Sequence, residues 1–147
     1  MIALIQRVSE ASVVVNQHRI AEIAQGILVF VGVEKNDNEI FAQRLVEKVL
    51  SYRVFADEND KMNLSVQDIK AGVLLVPQFT LAADTKKGCR PSFSSAAAPE
   101  KGECLFNEFV QRAKKHYPHI ETGQFGADMK VSLLNDGPVT FWLQVNK

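Results

Sequence analysis

Short apolar stretches that contain β-branched residues dominate the first part of the chain. Residues 2–8 and 11–16 are two such stretches, and residues 19–24 form a third. The polar residues 16–18 predict a turn between the second stretch and the third. Residues 27–33 (ILVFVGV) are an unbroken apolar run, which is typical of a strand buried on both faces. The pattern predicts a meander of strands that leads into a central strand.

Two segments have the spacing of amphipathic helices. From residue 37 to residue 50, apolar side chains recur at every third or fourth position, and Asn36 or Asp37 is suited to cap the first turn. The second segment starts at Pro99, whose fixed φ suits the first position of a helix, and it ends before Pro118. The chain is therefore expected to contain two main helices.

Apolar residues in the rest of the chain also predict strands. Residues 53–56, 73–76, 124–134 and 139–145 fit this type, and the NDGP sequence at 135–138 predicts a turn between the last two. Taken with the two helices, these strands predict an α/β fold that has a mixed, largely antiparallel sheet with the helices on one face.

The length of 147 residues is that of one domain, so residues 1–147 are assigned to a single domain. Residues 82–98 lack both the helical and the strand period and predict a loop whose length usually signals function. Strands near the chain ends leave open sheet edges, and pairing with a second copy is the commonest way to satisfy such an edge. A symmetric homodimer is therefore expected.

The 17 basic and 17 acidic residues give a net charge of zero, so any RNA partner must be held locally rather than by a broad positive surface. Basic residues cluster in two places, at Lys86, Lys87 and Arg90 and at Arg112, Lys114 and Lys115. Ordinary solvated surface is the simpler explanation of each cluster. No apolar run reaches the roughly 20 residues that span a bilayer, so a cytoplasmic protein without a membrane partner is expected.

The sequence lacks the patterns of the common cofactor, metal and nucleophile sites. It contains no GxGxxG, GxxxxGK[ST] or GxSxG motif, and its two cysteines form no CxxC unit and are expected to be free thiols. The acidic run at 57–60 lacks the glycine and the glutamate of a calcium loop. Pro118 interrupts the helix between His116 and His119, so the polar end of a helix explains this pair better than a shared metal does. No metal and no cofactor are expected.

The residues that follow the predicted strand at 73–76 offer one arrangement for chemistry. Gln78 and Thr80 carry an amide and a hydroxyl, and backbone N–H groups released from the sheet can converge with them on a carbonyl group. Threonine is also an ordinary strand former, so this segment is by itself a weak signal.

Two longer motifs are similar to those of the D-aminoacyl-tRNA deacylase (D-Tyr-tRNA deacylase) family. The family motif Ser-Gln-x-Thr-Leu is matched at Gln78, Thr80 and Leu81, and the motif NxGPVT is matched at Asn135 and at residues 137–140. The likeness runs from MIALIQRV through RPSF to ADMKVSLLNDGPVTFWLQV. Residues 1–147 thus resemble one deacylase-like domain from end to end.

The resemblance implies an editing hydrolase that cleaves the ester of D-aminoacyl-tRNA, works as a homodimer and needs no cofactor. It implies that Gly137 and Pro138 form a cis peptide whose carbonyl oxygens project into the partner's pocket, where they exclude an L side chain. A D side chain points elsewhere and glycine has no side chain, so glycyl-tRNA is an expected further substrate. The expected partner is the acceptor end of an aminoacyl-tRNA, rather than DNA.

The resemblance also assigns roles to single residues. Gln78 and Thr80 are the catalytic candidates, and two mechanisms stay open. Either Thr80 attacks as a nucleophile, or the 2′-OH of the terminal ribose assists attack by water while Thr80 positions the ester. The second mechanism is favoured, because the sequence places no base beside Thr80. Phe79, Phe125 and Met129 are expected to line the pocket, although core packing explains the last two equally well.

Arg7 matches a family position near the Gly-Pro motif, where its planar guanidinium is expected to hold backbone carbonyls; a surface salt bridge is the alternative. Position 77 departs from the family, because Pro77 stands where the family usually has Ser and removes both a hydroxyl and an N–H.

Two other functions remain open. One is a non-catalytic homo-oligomeric module that binds a small ligand in the same pocket. The other is a binder of single-stranded nucleic acid that uses Phe79, Phe93 and the nearby basic residues. Ester turnover separates the first alternative from a hydrolase, and salt-dependent binding of uncharged RNA is the sign of the second.

Overall fold

Eight strands, two α-helices and a short 3₁₀ turn make up the fold, and a computed structural model describes all residues from Met1 to Lys147. The strands are β1 (Ile2–Val15), β2 (His18–Ile23), β3 (Gly26–Gly32), β4 (Phe55–Ala56), β5 (Met62–Leu64), β6 (Gly72–Pro77), β7 (Ile120–Thr122) and β8 (Lys130–Gln144). The helices are α1 (Glu39–Ser51) and α2 (Pro99–His116), and the 3₁₀ turn is Phe79–Ala82. None of the helices combines the length and the apolar character needed to cross a membrane.

The long strand β1 organises the main sheet. One of its edges pairs antiparallel with β2 and β3, and the other edge pairs antiparallel with β8. On the far side of β3 the sheet continues with β6 and β7, each parallel to its neighbour. The prediction of one α/β domain with a mixed sheet and two helices is confirmed, and β3 is the buried inner strand that the apolar run at 27–33 predicted.

Several predicted boundaries were wrong. The two stretches at 2–8 and 11–16 belong to one continuous strand, β1. The residues at 124–129 are not in a strand, whereas the short strand β7 was not predicted. A strand of three residues carries too little periodicity to be recognised from sequence.

The turn predicted at 135–138 is instead a bulge inside strand β8. Asn135 pairs with Val8, and Thr140 pairs with Gln6. Between these two pairs β8 therefore contains more residues than β1, and the extra residues form the bulge. The side chain of Asn135 bridges the two ends of the bulge. Its Oδ1 accepts from the N–H of Val139 at 2.9 Å, and its Nδ2 donates to the hydroxyl of Thr140 at 2.9 Å. The bulge therefore projects from a strand that continues on both sides.

The first helix is capped by a residue that the sequence pattern did not single out. The Oδ1 of Asn38 accepts from the N–H of Phe41 at 2.9 Å, which is the bond of an N-cap. The carboxylate of Asp37 is engaged elsewhere, since it accepts from the N–H of Glu34 at 2.7 Å and from the amino group of Met1 at 2.7 Å. The prediction of Asn36 or Asp37 as the cap is wrong.

Both helices pack on one face of the sheet, where 27 buried residues form the main core. The other face carries a smaller cluster of 8 buried residues and no helix. On that second face the register places Trp142 beside Leu4, Leu4 beside Phe30 and Phe30 beside Val76. Trp142 is 52% exposed. The face without helices therefore presents a row of apolar side chains, Trp142, Leu4 and Phe30, across three strands.

Candidate active site

The segment Gln78–Thr80 lies where the parallel strands β3 and β6 end. The N–H of Gln78 donates to the carbonyl of Val31 at 2.8 Å, and the chain then turns away from the sheet into the 3₁₀ turn. Within the segment, Nε2 of Gln78 donates to the hydroxyl of Thr80. Phe79 and Thr80 are exposed. An amide, a hydroxyl and the start of a helical turn therefore meet at one exposed point.

The turn can approach β3 closely because position 32 is glycine. A Cβ placed on Gly32 would come within 2.9 Å of the Cβ of Leu81 and 3.3 Å of the carbonyl oxygen of Gln78. Any larger residue would push the turn outward. Gly32 thus positions Gln78 and its neighbours, and this role was not recognised from the sequence.

A cavity of about 450 Å³ opens beside the turn. Gln78, Phe79, Phe125 and Met129 line it, together with residues of α2 and of the strands β3 and β6. This volume is in the usual range of small-ligand sites. Thr80 is not among the lining residues, and its link to the cavity is the hydrogen bond from Gln78. The structure therefore brings together Gln78, Phe79, Phe125 and Met129, with Thr80 at their side.

Two glycines shape this cavity. A Cβ on Gly102 of α2 would lie 3.4 Å from the ring of Phe125, so glycine lets the helix approach that ring. A Cβ on Gly123 would lie 2.8 Å from the sulfur of Met129, and that sulfur also accepts from the N–H of Gln124 at 3.4 Å. Phe125 and Met129 are both half-buried. In the sequence, Gly102 could have been recognised because an isolated glycine within a helical pattern often has a packing role.

A second group of site candidates surrounds the bulge of β8. The guanidinium of Arg7 donates through Nε to the carbonyl of Asp136 at 2.9 Å and through Nη1 to the carbonyl of Val54 at 2.8 Å. Its distance to the carboxylate of Asp136 is longer, at 3.8 Å. Arg7 therefore engages mainly backbone carbonyls.

The backbone at Gly137 suits glycine alone. The peptide bond between Gly137 and Pro138 is cis, and Gly137 has a φ of 134°. A Cβ at this position would lie 2.8 Å from Nη2 of Arg7 and 2.8 Å from Cγ2 of Val139. Because L side chains rarely adopt this φ and because the space is filled, another residue would displace the bulge.

The two groups lie at opposite ends of the sheet. The bulge pairs at the level of Arg7 and Val8, which face Ile27 and Gly26 at the start of β3. The Gln78 segment is bonded to Val31 near the end of β3. The 7 residues of β3 span about 20 Å at the usual rise of a strand. Within one chain, Gly137 and Pro138 therefore do not lie next to Thr80.

The groups whose pKa departs from the ordinary value neither line the cavity nor bond to Arg7. A hydrogen bond from Asn63 lowers the pKa of Asp57, and hydrogen bonds from Ser65 lower the pKa of Asp68. Burial raises the pKa of Tyr117. None of the three histidines lines the cavity. The carboxylate of Asp128 is the one titratable side chain among the lining residues.

The family model and the most similar curated proteins found point to the same family. Residues 4–144 match the model of a family described as D-Tyr-tRNA(Tyr) deacylase. A curated D-aminoacyl-tRNA deacylase of Photorhabdus laumondii is 59% identical over 145 residues, which covers 99% of this chain and 100% of that protein. A D-aminoacyl-tRNA deacylase of a Janthinobacterium species is 60% identical over 145 residues, covering 99% of this chain and 97% of the relative.

Solved structures agree with the fold. A protein titled c-Myc DNA Unwinding Element Binding Protein superposes with a TM-score of 0.96 at 39% identity, and all of both chains is covered. A structure described as a probable eukaryotic D-amino acid tRNA deacylase superposes with a TM-score of 0.85 at 14% identity, covering 98% of each chain. At that identity the second match supports the fold alone.

Proposed function

This chain belongs to the D-Tyr-tRNA(Tyr) deacylase family, and we propose that it acts as a D-aminoacyl-tRNA deacylase whose ester site is the turn after β6. Water adds to the carbonyl of the aminoacyl ester, the bond to the ribose oxygen breaks, and a D-amino acid and free tRNA are released. The observation that carries this assignment is the Gln78–Thr80 segment at the mouth of a cavity of about 450 Å³. No cofactor takes part in the proposed reaction.

In this mechanism the residues of the turn position the ester and stabilise its negative charge. The first N–H groups of a helical turn have no acceptor within the turn, so those at the start of the 3₁₀ turn are suited to an oxyanion. The hydroxyl of Thr80 accepts a hydrogen bond from the amide of Gln78, and an amide donor cannot remove the proton of Thr80. We therefore favour attack by water assisted by the ribose 2′-OH, with Thr80 as a positioning group.

The cavity is proposed to receive the acceptor end of the aminoacyl-tRNA. Phe79, Phe125 and Met129 supply apolar surface for a nucleoside or an amino-acid side chain, and Gln78 supplies a polar contact at the edge. Because the substrate is a tRNA in translation, the proposed location is the cytoplasm, with neither a membrane nor DNA as a partner.

Discrimination between D and L substrates is proposed to depend on a second copy of the chain. Within one chain Gly137 and Pro138 lie at the far end of β3 from Thr80, so a two-fold partner must supply them. The apolar row of exposed Trp142 and half-buried Leu4 and Phe30 is a suitable contact surface for that partner. The site is then shared between two subunits of a homodimer.

In the shared site, the backbone carbonyls of Gly137 and Pro138 occupy the space of an L side chain. Arg7 holds this segment in place through its bonds to the carbonyls of Asp136 and Val54. An L-aminoacyl ester clashes with the rigid backbone, whereas a D side chain points elsewhere. Glycine has no side chain to exclude, so glycyl-tRNA is also a proposed substrate.

Pro77 is compatible with this function. It lines the cavity but supplies neither a hydroxyl nor an N–H. The groups assigned to catalysis follow it, and the N–H of Gln78 keeps its bond to Val31. The proposed reaction therefore requires no hydroxyl or N–H group at position 77.

The test is hydrolysis of D-Tyr-tRNA and L-Tyr-tRNA by the purified protein without added metal. We expect release from the D ester only. Thr80→Val keeps the shape of the side chain without the hydroxyl and should slow the reaction, whereas Thr80→Ser should retain it. Release from neither ester would favour the non-catalytic ligand-binding module, and full activity of Thr80→Val would remove Thr80 from the site.

A further inference from the structure

Two aromatic side chains stand exposed beside the cavity. The ring centroids of Phe79 and Phe93 are 5.3 Å apart with an angle of 43° between the planes. Phe79 is 60% exposed and Phe93 is 43% exposed. Phe79 also lines the cavity. The pair therefore forms an open aromatic surface at the cavity mouth, where burial in the core does not explain it.

The loop that carries Phe93 is fixed at its base. Asp84 and Ser92 exchange two backbone hydrogen bonds, of 2.7 and 2.9 Å, and the carboxylate of Asp84 accepts from the N–H of Lys86 at 2.9 Å. Further on, the hydroxyl of Ser95 donates to the carbonyl of Ala82 at 2.8 Å, which ties the loop to the 3₁₀ turn. The aromatic pair thus has a defined place relative to the catalytic turn.

The tip of the same loop is basic. Lys86, Lys87 and Arg90 are exposed, and none of the ion pairs in the structure involves them. Because the chain has no net charge, these three cations form a local positive site rather than part of a general field. Phosphates held here would lie next to bases held by the two rings.

We propose that Phe79 and Phe93, with Lys86, Lys87 and Arg90, bind the unpaired nucleotides that precede the aminoacylated terminal nucleotide of the tRNA. This inference rests on the proposed function. If the ester lies at Gln78–Thr80, the strand leaves the cavity past Phe79, so the preceding bases reach the aromatic surface. Aromatic rings stack on any base, and lysine and arginine contact the phosphates between bases. The site binds single-stranded RNA ends without reading their sequence.

The test compares a full substrate with one that lacks the preceding nucleotides. D-Tyr-tRNA is the full substrate, and an ester of D-tyrosine with adenosine is the short one. For Phe93→Ala we expect kcat/KM on D-Tyr-tRNA to fall about 5- to 150-fold, the range of one stacked base. Its kcat/KM on the adenosine ester should equal that of the wild type, because no nucleotide reaches Phe93.

The basic part of the site is tested with a matched pair of lysines. Lys86→Gln/Lys87→Gln should weaken D-Tyr-tRNA binding and reduce the salt slope of log K by about 1.4, since each phosphate contact to a single strand contributes about 0.7. Lys114→Gln/Lys115→Gln is the control. Both of these lysines are exposed, but they lie in the last turn of α2, whose 18 residues span about 27 Å from its start at the cavity.

A second readout does not depend on the short ester. An uncharged RNA oligonucleotide that ends in CCA should inhibit the wild type more strongly than it inhibits Phe93→Ala. Equal losses of Phe93→Ala on both substrates, unchanged inhibition by the oligonucleotide, or loss of the dimer in that variant would overturn the inference. A wild type that hydrolyses neither ester would instead overturn the proposed function, and this inference would fall with it.

Discussion

Arg7 and Gly137 form a close contact in which the side chain of one residue excludes any side chain on the other. A Cβ on Gly137 would lie 2.8 Å from Nη2 of Arg7, while Nε of Arg7 donates to the neighbouring carbonyl of Asp136 at 2.9 Å. The arginine therefore fixes the backbone of the bulge and leaves room for glycine alone. The position of the bulge carbonyls depends on this pair.

Gly137→Ala should lower both stability and selectivity. The added methyl group has to displace Arg7 or Val139 at a backbone φ of 134°, and overpacking of this kind costs about 1–3 kcal/mol of the free energy of unfolding. Displaced carbonyls no longer exclude the L side chain, so the ratio of L-Tyr-tRNA to D-Tyr-tRNA hydrolysis should rise. Denaturant unfolding and paired hydrolysis assays measure the two effects. An unchanged ratio in a folded variant would argue against the bulge as the filter.

Gly123→Ala should disturb the cavity through Met129. Its Cβ would lie 2.8 Å from the sulfur, so Met129 has to move, and we expect a higher KM for D-Tyr-tRNA. Met129→Ala removes the group that the methyl would meet. The double variant should therefore be more stable than the sum of the two single changes indicates, and a double-mutant cycle of unfolding free energies measures this coupling. Additive effects would mean that the two residues do not meet.

Trp142→Glu should separate the proposed dimer. The residue is 52% exposed in one chain, and a carboxylate buried in an apolar contact loses its hydration without a partner. Sedimentation analysis should show monomers for Trp142→Glu and dimers for Trp142→Phe, with the same circular dichroism in both. D-Tyr-tRNA hydrolysis should fall with the dimer. A fully dimeric Trp142→Glu protein would place the subunit contact elsewhere.

Tyr117 should make the fold sensitive to alkaline pH. Burial raises its pKa above the ordinary value of 10.0, and its hydroxyl donates to the carbonyl of Ala71 inside the core. A raised pKa means that the folded state holds the proton more tightly, so this part of the stability is present below pH 10 and is lost as the pH rises through the folded pKa. Tyr117→Phe should show a shallower loss of stability above about pH 10 in denaturant titrations. An identical pH dependence in wild type and variant would contradict this.

Local patterns in the sequence predicted the central strand and both helices. The run at 27–33 predicted the buried strand β3 because both faces of that strand are covered, and Pro99 predicted the start of α2 because its φ suits a first helical turn. The turn residues Asn16 and Gln17 were also predicted, and both have a positive φ in the structure.

Contacts between distant residues account for what the sequence did not reveal. Asp37 resembles a helix cap, but its carboxylate is taken by Met1 and Glu34, so Asn38 caps the helix. The sequence NDGP resembles a turn, but pairing with β1 on both sides turns it into a bulge. The separation of Thr80 from Gly137 follows from the strand order, which local patterns do not determine.

The sharing of one site between two chains can be tested directly by mixing two variants. Gly137→Ala chains are refolded or co-expressed with an excess of Thr80→Ala chains, and hydrolysis of L-Tyr-tRNA and D-Tyr-tRNA is measured. In a mixed dimer with shared sites, one site carries both changes and the other carries neither. We expect the mixture to hydrolyse D-Tyr-tRNA with the selectivity of the wild type. If the mixture instead keeps the selectivity of Gly137→Ala alone, each site is built within one chain and the shared filter is wrong.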